Sequence, residues 1–510
     1  MQGSQPSNLY LAYRRHFPSD RSKVLLTTES GKTYTYEDAE IKSAQMANYL
    51  ASLELLPGDR VTVQVEKSPE MLWLYLATLR AGMVFHPLNT AYTVEELEYF
   101  LGDAAPSLVV CDESRLKNFE ALCAAARIPN LKYLNADGRG SLVAEAALYP
   151  GEFTTVQTDF NEMASLLYSS GTTGRPKGIM LSHRNLIENV GVLTDLWGFT
   201  TEDCLLHVLP VFHVHGLFVA IGCVLMSGAS MRWLSKFEPA IAMQHLPHST
   251  VMMGVPTYYT RLLAEKSFDA QSCKTVRLFI SGSAPLLAET FAEFEQRTGK
   301  AILERYGMSE TGMNTSNPLH GERRAGTVGF PLPGVELRIV DPDNQPVETG
   351  EVGDIQVRGA NVFTGYWNLP QKTAEDFTAD GFFVTGDKGR IDRDGYVSIV
   401  GRAKDMVITG GLNVYPKEIE LLIDDLEGVL ESAVIGVPDP DFGEAVTAVV
   451  VLEPGTALEA QDVIAHVREH AANFKVPKNV YFVDSLPRNT MGKVQKNILR
   501  ELYPSRGQTP

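Results

Sequence analysis

The sequence contains few cysteines, and their spacing suits neither a disulfide framework nor a zinc site. The five cysteines stand at positions 111, 123, 204, 223 and 273, an odd number with no Cys-x-x-Cys pair among them. Disulfide-rich domains and zinc modules depend on paired or regularly spaced cysteines. We therefore expect free thiols in the protein core and a reducing compartment.

The sequence also lacks a hydrophobic segment long enough to cross a bilayer. Its longest apolar stretch, 217–226, is about half as long as a membrane-spanning helix. Residues 1–18 are polar and have no apolar core of the kind found in secretory signal peptides. These absences predict a cytoplasmic protein that does not insert into membranes.

Positive charge is scarce. There are 45 Lys and Arg residues against 62 Asp and Glu residues, so the net charge is −17 and the pI is about 5.2. Such a chain has no overall attraction for nucleic acid, and any phosphate site must be local.

The apolar fraction of 44% and the charged fraction of 21% are those of a folded globular protein. A length of 510 residues predicts at least two domains.

The first part of the chain alternates between helical and strand-like segments. Segments 36–53 and 70–81 have helical apolar spacing, whereas 60–65 and 108–111 read as strands. This alternation predicts parallel sheets covered by helices. From residue 334 to residue 401 short strands are separated by Asp, Asn and Gly turn signals, which predicts an antiparallel, β-barrel-like segment.

After residue 402 the pattern becomes that of a small α+β domain. It predicts helices at 416–426 and 462–470 and strands at 432–437, 445–452 and 480–483. The predicted fold class is therefore α/β, with a large N-terminal domain (1–401) of parallel-sheet subdomains plus the β segment. A small, mobile C-terminal α+β domain (402–510) follows, and the favoured junction is 401–405.

The segment 168–178, Tyr-Ser-Ser-Gly-Thr-Thr-Gly-Arg-Pro-Lys-Gly, has the composition of a phosphate-binding loop. Its glycines leave backbone N–H groups accessible, and Lys177 adds positive charge. The apolar runs on both sides favour this interpretation over a flexible linker. The Walker A spacing is absent because Pro176 stands where that motif needs glycine. The candidate phosphate donors are Ser169, Ser170, Gly171, Thr172, Thr173, Gly174 and Lys177.

Eight blocks of the sequence resemble one known family in the order in which that family carries them. They are YSSGTTGRPKG (168–178), LPVFHVHGLF (209–218), GVPTYYTRLL (254–263), ISGSAPL (280–286), LERYGMSET (303–311), VTGDKG (384–389), GRAKDMVITGGLNVYPKEIE (401–420) and LPRNTMGKVQK (486–496). The family is that of the adenylate-forming acyl-CoA synthetases, which includes carrier-loading adenylation domains and firefly-type luciferases. The resemblance covers roughly residues 34–502 and is greatest to the malonyl-CoA synthetases.

The resemblance implies a reaction in two steps. A carboxylate attacks the α-phosphate of ATP and gives an acyl-adenylate and pyrophosphate, and the thiol of CoA then displaces AMP. The first step brings an anion to a polyanion, so catalysis depends on positioning and on fixed positive charge. ATP, Mg²⁺ and CoA are the small molecules that it implies.

The resemblance also implies the residues of the nucleotide site. The loop holds the β- and γ-phosphates, Tyr306 stacks on adenine, Asp387 binds the ribose hydroxyls, and Glu310 is a ligand of Mg²⁺. Most relatives carry Thr at position 309, where this sequence has Ser. The remaining residues implied at this site are Gly282, Ser283, Ala284, Glu304, Arg305, Gly307, Met308, Ser309 and Arg402.

Lys493 is the implied catalytic cation. Pro487, Asn489 and Gly492 predict a loop that ends in a helix, and a lysine at its tip can reach both the attacking carboxylate and the α-phosphate. From the residues alone, a solvated surface lysine would be the favoured interpretation. The resemblance further implies that a lysine acetyltransferase acts on Lys493 and removes its charge.

The segment 401–411 is implied in the second step. In the family, the C-terminal domain rotates between the two half-reactions about one charged residue, which aligns with Lys404. Gly410 and Gly411 would then line a narrow tunnel for the pantetheine arm of CoA. From composition alone, these two glycines are equally typical of an ordinary turn.

His213 and His215 lie in an otherwise apolar run. Two histidines at this spacing could bind a metal, but no carboxylate or cysteine accompanies them, so a core histidine is the favoured interpretation from the residues alone. The resemblance places His213 on the path of the carboxylate and thiol, and His215 at the acyl pocket.

Arg261 is the residue on which the choice of acid depends. It lies in a predicted helix that carries mainly apolar side chains toward the acyl pocket in fatty-acyl and aryl relatives. A buried guanidinium there requires a second anion on the substrate, and malonyl-CoA synthetases carry Arg at this position. We therefore predict a buried Arg261 that binds the far carboxylate with help from Ser281 and His215; the alternative is an Arg261 directed to the surface.

The sequence thus predicts a malonate–CoA ligase, with methylmalonate as a second candidate substrate. The alternatives are a CoA ligase for another short mono- or dicarboxylic acid, an adenylating oxygenase of the luciferase type, and a non-catalytic protein that binds a nucleotide or a carrier. The presence of Lys493, Glu310 and Asp387 argues against the last of these.

Overall fold

The computed structural model of the protein describes residues 6–169, 176–409, 412–439, 442–471, 473–489 and 492–503. The chain divides into two units. The first contains Met1–Arg323, Pro331–Glu336 and Arg358–Phe377. The second contains Arg324–Phe330, Leu337–Val357 and Thr378–Pro510.

Helices and strands alternate along the chain. From the N-terminus they are α1 (Leu9–Arg15), β1 (Val24–Thr28), β2 (Thr33–Thr35), α2 (Tyr36–Ser52), β3 (Arg60–Gln64), α3 (Pro69–Arg80), β4 (Val84–Pro87), α4 (Val94–Ala104), β5 (Leu108–Cys111), α5 (Leu116–Ala126), β6 (Asn130–Tyr133), α6 (Ser141–Ala146), β7 (Met163–Tyr168), β8 (Gly178–Ser182), α7 (His183–Leu196) and β9 (Cys204–His207). A π-helix (His215–Ala220) follows, and then α8 (Ile221–Ser227), β10 (Ser230–Trp233), α9 (Pro239–His245), β11 (Val251–Gly254), α10 (Pro256–Ala264), β12 (Leu278–Ser281), α11 (Ala288–Thr298), β13 (Leu303–Met308) and β14 (Gly312–Ser316).

The remaining helices and strands follow β14 along the chain, and the first of them are short. They are β15 (Phe330–Pro331), β16 (Val335–Val340), β17 (Gly353–Gly359), β18 (Gly365–Tyr366), α12 (Pro370–Glu375), β19 (Phe383–Ile391), β20 (Val397–Arg402), β21 (Val407–Thr409), β22 (Leu412–Val414), α13 (Pro416–Asp424), β23 (Val429–Asp439), β24 (Gly443–Leu452), α14 (Ala460–His470), β25 (Asn479–Phe482) and α15 (Lys496–Leu502). Short 3₁₀ turns lie at Glu113–Arg115, Leu246–His248, Ala403–Asp405 and Asn473–Lys475.

The first unit contains two large sheets. One has seven strands in the order β18-β8-β7-β4-β3-β5-β6, in which β4, β3, β5 and β6 are parallel. Within this unit the other sheet runs in the order β14-β13-β12-β11-β9-β10-β1-β2, and its strands from β13 to β1 are parallel. The carboxyl ends of β9, β11, β12 and β13 therefore lie at one edge, the usual place for a ligand site in such sheets.

The helices of this unit begin where local chemistry satisfies their first N–H groups. Thr35 and Thr93 form capping boxes with acidic residues three positions later, and Ser68 caps α3 just before Pro69. Helix α3 is apolar on all sides and almost wholly buried, as expected of a helix enclosed by other elements.

The second unit contains an antiparallel sheet and the C-terminal α+β segment. Strands β17, β19 and β20 pair antiparallel, and in the C-terminal segment β23 and β24 form an antiparallel pair with β25 parallel to β24. A core of valine and isoleucine side chains fills the space between this sheet and helices α13 and α14. The fold class predicted from the sequence is confirmed, with parallel sheets early, an antiparallel segment in the middle and an α+β segment at the end.

All five cysteines are free thiols, as predicted. Burial raises the pKa of Cys111 to about 12 and that of Cys123 to about 11, so these thiols stay protonated and unreactive at neutral pH. Among the described residues, no helix combines the length and the apolar character needed to cross a bilayer.

Candidate active site

The glycine-rich loop joins β7 to β8, two antiparallel strands. At its base the backbone of Ser169 donates to the carbonyl of Lys177 (3.0 Å), and the backbone of Lys177 donates to the hydroxyl of Ser169 (3.1 Å). These bonds close the loop at the point where the sequence places its phosphate donors. Five predicted donors lie outside the described residues, namely Ser170, Gly171, Thr172, Thr173 and Gly174.

Lys177 and Glu310 both contact Tyr366, one over its ring and the other at its hydroxyl. The Lys177 ammonium is 4.2 Å from the centre of the Tyr366 ring and 3.8 Å from a carboxylate oxygen of Asp376. The Tyr366 hydroxyl is 3.4 Å from Oε1 of Glu310, which is buried. The structure therefore brings together the predicted phosphate cation and the predicted Mg²⁺ ligand.

The turn after β12 is strained and closely packed. Ser283 has φ +72°, in the left-handed region that non-glycine residues rarely adopt. A Cβ on Gly282 would overlap the guanidinium carbon of Arg305, so a larger residue there would displace that side chain. The turn 282–284 follows β12 and lies next to β13, because β12 and β13 are parallel neighbours.

Arg305 is a buried cation. Its side chain lies on β13 with 3% of the residue exposed, and among the described residues neither Nε nor Nη2 has a hydrogen-bond partner. Burial lowers the pKa of Arg305 to about 10, while Tyr259 and Glu304 act in the opposite direction. The group remains charged at neutral pH, and a buried charge with unused N–H groups can accept an anionic ligand.

His215 and Ser281 each carry a buried polar atom. Nδ1 of His215 is 3.3 Å from the Ser283 hydroxyl, whereas Nε2 of His215 and the Ser281 hydroxyl have no partner within the part of the chain that the structure describes. Burial, and then the charge of Arg305, hold the pKa of His215 well below its usual value, so the imidazole is neutral at pH 7. His213 also lowers that pKa, which places the two histidines close together.

Arg261 is exposed, and the prediction of a buried guanidinium at this position is wrong. Helix α10 buries Pro256, Tyr259, Leu262 and Leu263, a stripe with helical period that leaves Arg261 on the opposite face. Burial raises the pKa of the neighbouring Tyr258, and the Arg261 charge acts in the opposite direction; the Tyr258 ring stacks on Phe237 at 4.0 Å. The buried guanidinium near His215 belongs instead to Arg305.

The other predicted nucleotide residues lie on β13 or directly after it. Glu304 is buried and its Oε1 accepts the backbone N–H of Leu286 (3.3 Å), so it fixes the loop after β12. The half-buried residues that follow Arg305 are Tyr306, Gly307, Met308 and Ser309. Ala284 is half-buried in the turn opposite them.

In the second unit, Asp387 and Arg402 form an ion pair. Nε of Arg402 is 2.6 Å from Oδ1 of Asp387, and the two residues are direct neighbours across β19 and β20. Lys404 is exposed in the 3₁₀ turn after β20, and its neighbour Asp405 accepts a hydrogen bond from Arg500 of α15 (2.9 Å). The two predicted tunnel residues, Gly410 and Gly411, lie outside the described residues.

Lys493 is exposed beside a tight turn. The Asn489 backbone donates to the carbonyl of Lys493 (2.9 Å), and the Lys493 backbone donates to Oδ1 of Asn489 (3.0 Å). The segment is fixed at both ends, because Arg488 pairs with Glu431 and Lys496 pairs with Glu420 at 2.5 Å. The sequence-based picture of a lysine on an exposed turn before a helix is in keeping with this geometry.

Sequence reasoning missed two features of this region. It assigned Arg305 to the adenine segment and not to the polar cluster, although strand alternation would have placed Arg305 and Tyr306 on opposite faces. It also missed Lys67 and His207, which form a buried pair next to the π-helix. Residues so far apart in sequence carry no local signal of their contact.

Matches to known proteins accompany the glycine-rich loop, the buried Arg305 and the exposed Lys493. Residues 14–367 match the family model of the AMP-binding enzymes, and residues 418–493 match the model of the AMP-binding enzyme C-terminal domain. The chain therefore belongs to the AMP-binding enzyme family.

Relatives within that family cover nearly the whole chain. The mitochondrial malonate–CoA ligase ACSF3 of Xenopus laevis is 34% identical over 531 residues, which cover 96% of this chain and 91% of the relative. Feruloyl-CoA synthase of Amycolatopsis is 34% identical over 482 residues, covering 93% and 94%. The crystal structure of ATP-bound MatB from Rhodopseudomonas palustris is 51% identical with a TM-score of 0.96, covering 98% of this chain and 99% of that one.

The protein is thus an acid–thiol ligase of the AMP-forming type, which uses ATP and CoA. Relatives with equal identity carry names that specify different acids, so identity to them does not decide which acid this protein uses.

Proposed function

We propose that the protein is a malonate–CoA ligase. Malonate attacks the α-phosphorus of ATP, the bond to the β-phosphate breaks, and malonyl-adenylate and pyrophosphate form. The thiol of CoA then attacks the activated carbonyl, and AMP leaves as malonyl-CoA forms. Methylmalonate is a second candidate substrate, because one methyl group changes binding by only about 1–3 kcal/mol.

The observation that carries this proposal is the buried guanidinium of Arg305, which has unused N–H groups and lies near His215. A buried cation costs free energy unless an anion pairs with it. A substrate with two carboxylates supplies that anion at one end and is activated at the other. A guanidinium can hold a carboxylate through two parallel hydrogen bonds, which fixes its orientation.

Arg261 takes a secondary part in this proposal. As an exposed cation near Tyr258, it attracts dianionic substrates toward the site but gains less from pairing than a buried group does. His213 lies beside His215, in the position proposed for the approach of the carboxylate and the thiol.

The phosphates of ATP are assigned to the glycine-rich loop and Lys177, and the ribose to Asp387 with Arg402 beside it. Glu310 fits Mg²⁺, which usually takes only one or two protein carboxylates and completes its shell with phosphate oxygens and water. No cluster of three metal-ligating side chains occurs in the described ranges, in keeping with that mode. The ion, when bound, neutralises phosphate charge.

Lys493 is assigned to adenylate formation, where its charge balances the charge that develops on the α-phosphate. We also propose that the segment from 402 to 510 changes its position between the half-reactions, with Lys404 as the hinge and Gly410 and Gly411 at the pantetheine arm. Lys493 is exposed, which supports its acetylation by a lysine acetyltransferase. An enzyme that mass spectrometry shows to be acetylated at Lys493 but that is still fully active would reject this regulation.

The test of the proposed function is pyrophosphate exchange into ATP with a panel of acids. The panel contains mono- and dicarboxylic acids of two to eight carbons, together with methylmalonate and ferulate. We expect the highest kcat/KM with malonate, or with malonate and methylmalonate together. A highest value with a monocarboxylic acid, or with ferulate, would show that another CoA ligase activity is the right one.

A further inference from the structure

Lys67 is buried between the two large sheets of the first unit. It follows β3 and directly precedes the Ser68 cap of α3, with 8% of the residue exposed. Its ammonium is 2.7 Å from Nδ1 of His207, 2.9 Å from the carbonyl oxygen of His207 and 4.6 Å from the centre of the Trp233 ring. No described residue forms an ion pair with it.

The groups around Lys67 and His207 can stabilise a single positive charge on this pair. An ammonium has three N–H donors, and here it meets an imidazole nitrogen, a carbonyl oxygen and the face of an indole. Burial lowers the pKa of Lys67, and burial followed by the charge of Lys67 lowers that of His207. The two groups therefore do not both carry a charge.

The hydrogen bonds also decide the tautomer of His207. Nε2 of His207 is 2.9 Å from the carbonyl oxygen of Gly216, which can only accept a hydrogen bond, so Nε2 must carry the proton. With His207 neutral, Nδ1 accepts a hydrogen bond from Lys67. The imidazole ring stacks on Trp233, with 5.0 Å between ring centres, and cannot turn freely.

Gly216 connects this pair to the acid site. It is the second residue of the π-helix, directly after His215, and π-turns in helices are often found at functional sites. Its backbone approaches the carbonyl oxygen of Pro210 so closely that a Cβ would overlap it. The backbone from Pro210 to Gly216 therefore forms a tight turn. His207 stabilises this turn through its hydrogen bond to the carbonyl oxygen of Gly216.

We propose that Lys67 and His207 are positioning residues of the acid site: Lys67 keeps His207 as the Nε2–H tautomer, and His207 holds Gly216 so that His215 faces the substrate. This inference rests on the placement of the acid beside His215 in the proposed function. It does not depend on which acid is used, since neither residue contacts the substrate.

The experiment compares Lys67→Met, His207→Phe, the double variant and His207→Gln. Pyrophosphate exchange gives kcat, the KM for the acid and the KM for ATP, using whichever acid the wild-type enzyme activates best. We expect Lys67→Met and His207→Phe to raise the acid KM about tenfold, because misplacement of His215 weakens the site, while the ATP KM stays within about twofold. His207→Gln keeps an N–H donor toward Gly216 and should recover most of the loss.

The double variant separates positioning from general stabilisation. If Lys67 acts only through His207, the double variant is no worse than His207→Phe, whereas independent effects would add. His183→Gln is the matched control: His183 is equally buried and accepts the backbone N–H of Leu9 (3.1 Å), so it should lower the melting temperature without changing the acid KM.

Three results would overturn the proposal: an unchanged acid KM in Lys67→Met, equal changes in the KM of acid and of ATP, or additive effects in the double variant. Should Lys67→Met fail to fold, Lys67→Gln, which keeps an N–H donor, replaces it and should give an acid KM between those of wild type and His207→Phe. Use of the best acid keeps this test separate from the malonate assignment, which the acid panel decides by itself.

Discussion

At the scale of single residues, Arg305 combines full burial with N–H groups that meet no acceptor among the described residues. A group of this kind lowers the stability of the free protein, because its desolvation is only partly compensated. Proteins retain such groups where a ligand supplies the missing partner. Arg305 is therefore the strongest indication of an anionic substrate group in the first unit.

Arg261→Ala tests the secondary part assigned to the exposed arginine. Because its charge is screened by solvent, we expect kcat/KM for malonate to fall only about three- to tenfold, mainly through KM. Raising the salt concentration should reduce the wild-type value toward that of the variant. A loss of a hundredfold or more would instead show that Arg261 pairs directly with the substrate.

The residue scale also shows where sequence reasoning fails. The stripe of Pro256, Tyr259, Leu262 and Leu263 was visible in the sequence and would have put Arg261 on the outer face of its helix. The burial of Arg305 was not visible, because its guanidinium packs against the turn that follows a neighbouring strand. The contact of Lys67 with His207 joins two sheets and leaves no local trace in the sequence.

At the scale of elements, the turn between β9 and the π-helix is held by a close backbone approach. Gly216→Ala places a methyl group on the carbonyl oxygen of Pro210, so the turn must open and His215 must move. We expect kcat/KM for the acid to fall at least about tenfold. Gly191→Ala in α7 is the control, since its Cβ would lie 3.8 Å from Met226 and alanine favours helices, and it should leave activity unchanged.

Helix α13 carries a carboxyl group with a strongly perturbed titration. Burial raises the pKa of Asp424 to about 7, and the residue is the last of the helix, where the helix dipole also disfavours a negative charge. The folded protein therefore binds a proton that the unfolded chain releases near pH 4, and stability falls as pH rises from about 4 to about 7.

Asp424→Asn should remove the loss of stability that accompanies ionisation of Asp424. We expect the free energy of opening of α13 and β23 to rise by about 2 kcal/mol more at pH 8 than at pH 5. Hydrogen exchange of peptides from these two elements, corrected for the intrinsic exchange rate at each pH, measures it. An equal gain at both pH values would mean that Asp424 is already ionised in the folded protein.

Most elements could be predicted from the sequence, and their ends could not. The helix predicted at 36–53 is Tyr36–Ser52, because Thr35 and Asp38 form the capping box that starts it. The strand predicted at 432–437 extends over Val429–Asp439, because pairing with β24 lengthens it at both ends. The spacing of apolar residues shows where the middle of a helix or strand lies. Capping and pairing with neighbouring strands decide where it begins and ends.

At the scale of the whole molecule, the order of motifs was the most informative signal. The acyl-CoA ligase class and its α/β fold followed from eight blocks spread over the chain, and the family matches confirm both. The choice of acid did not follow with the same strength, because it depends on a few side chains whose burial only the folded protein decides.

The proposed division of labour between the half-reactions makes Lys493→Ala informative. Its charge is assigned to adenylate formation alone, so we expect pyrophosphate exchange to fall at least about a hundredfold. Thioester formation from preformed malonyl-adenylate should change less than about threefold. Lys478→Ala, which removes a cation near Phe442 in the same segment, is the control. Equal losses in both half-reactions would reject the role given to Lys493.

The most direct measurement is the ratio of kcat/KM for malonate to that for butyrate, in the wild-type enzyme and in Arg305→Met. If Arg305 pairs with the far carboxylate, the wild-type ratio is large and falls at least about a hundredfold in the variant. The variant should also melt no lower than the wild type, since a buried cation has been removed. A ratio that stays the same in Arg305→Met would contradict the account, because the far carboxylate would then be bound elsewhere.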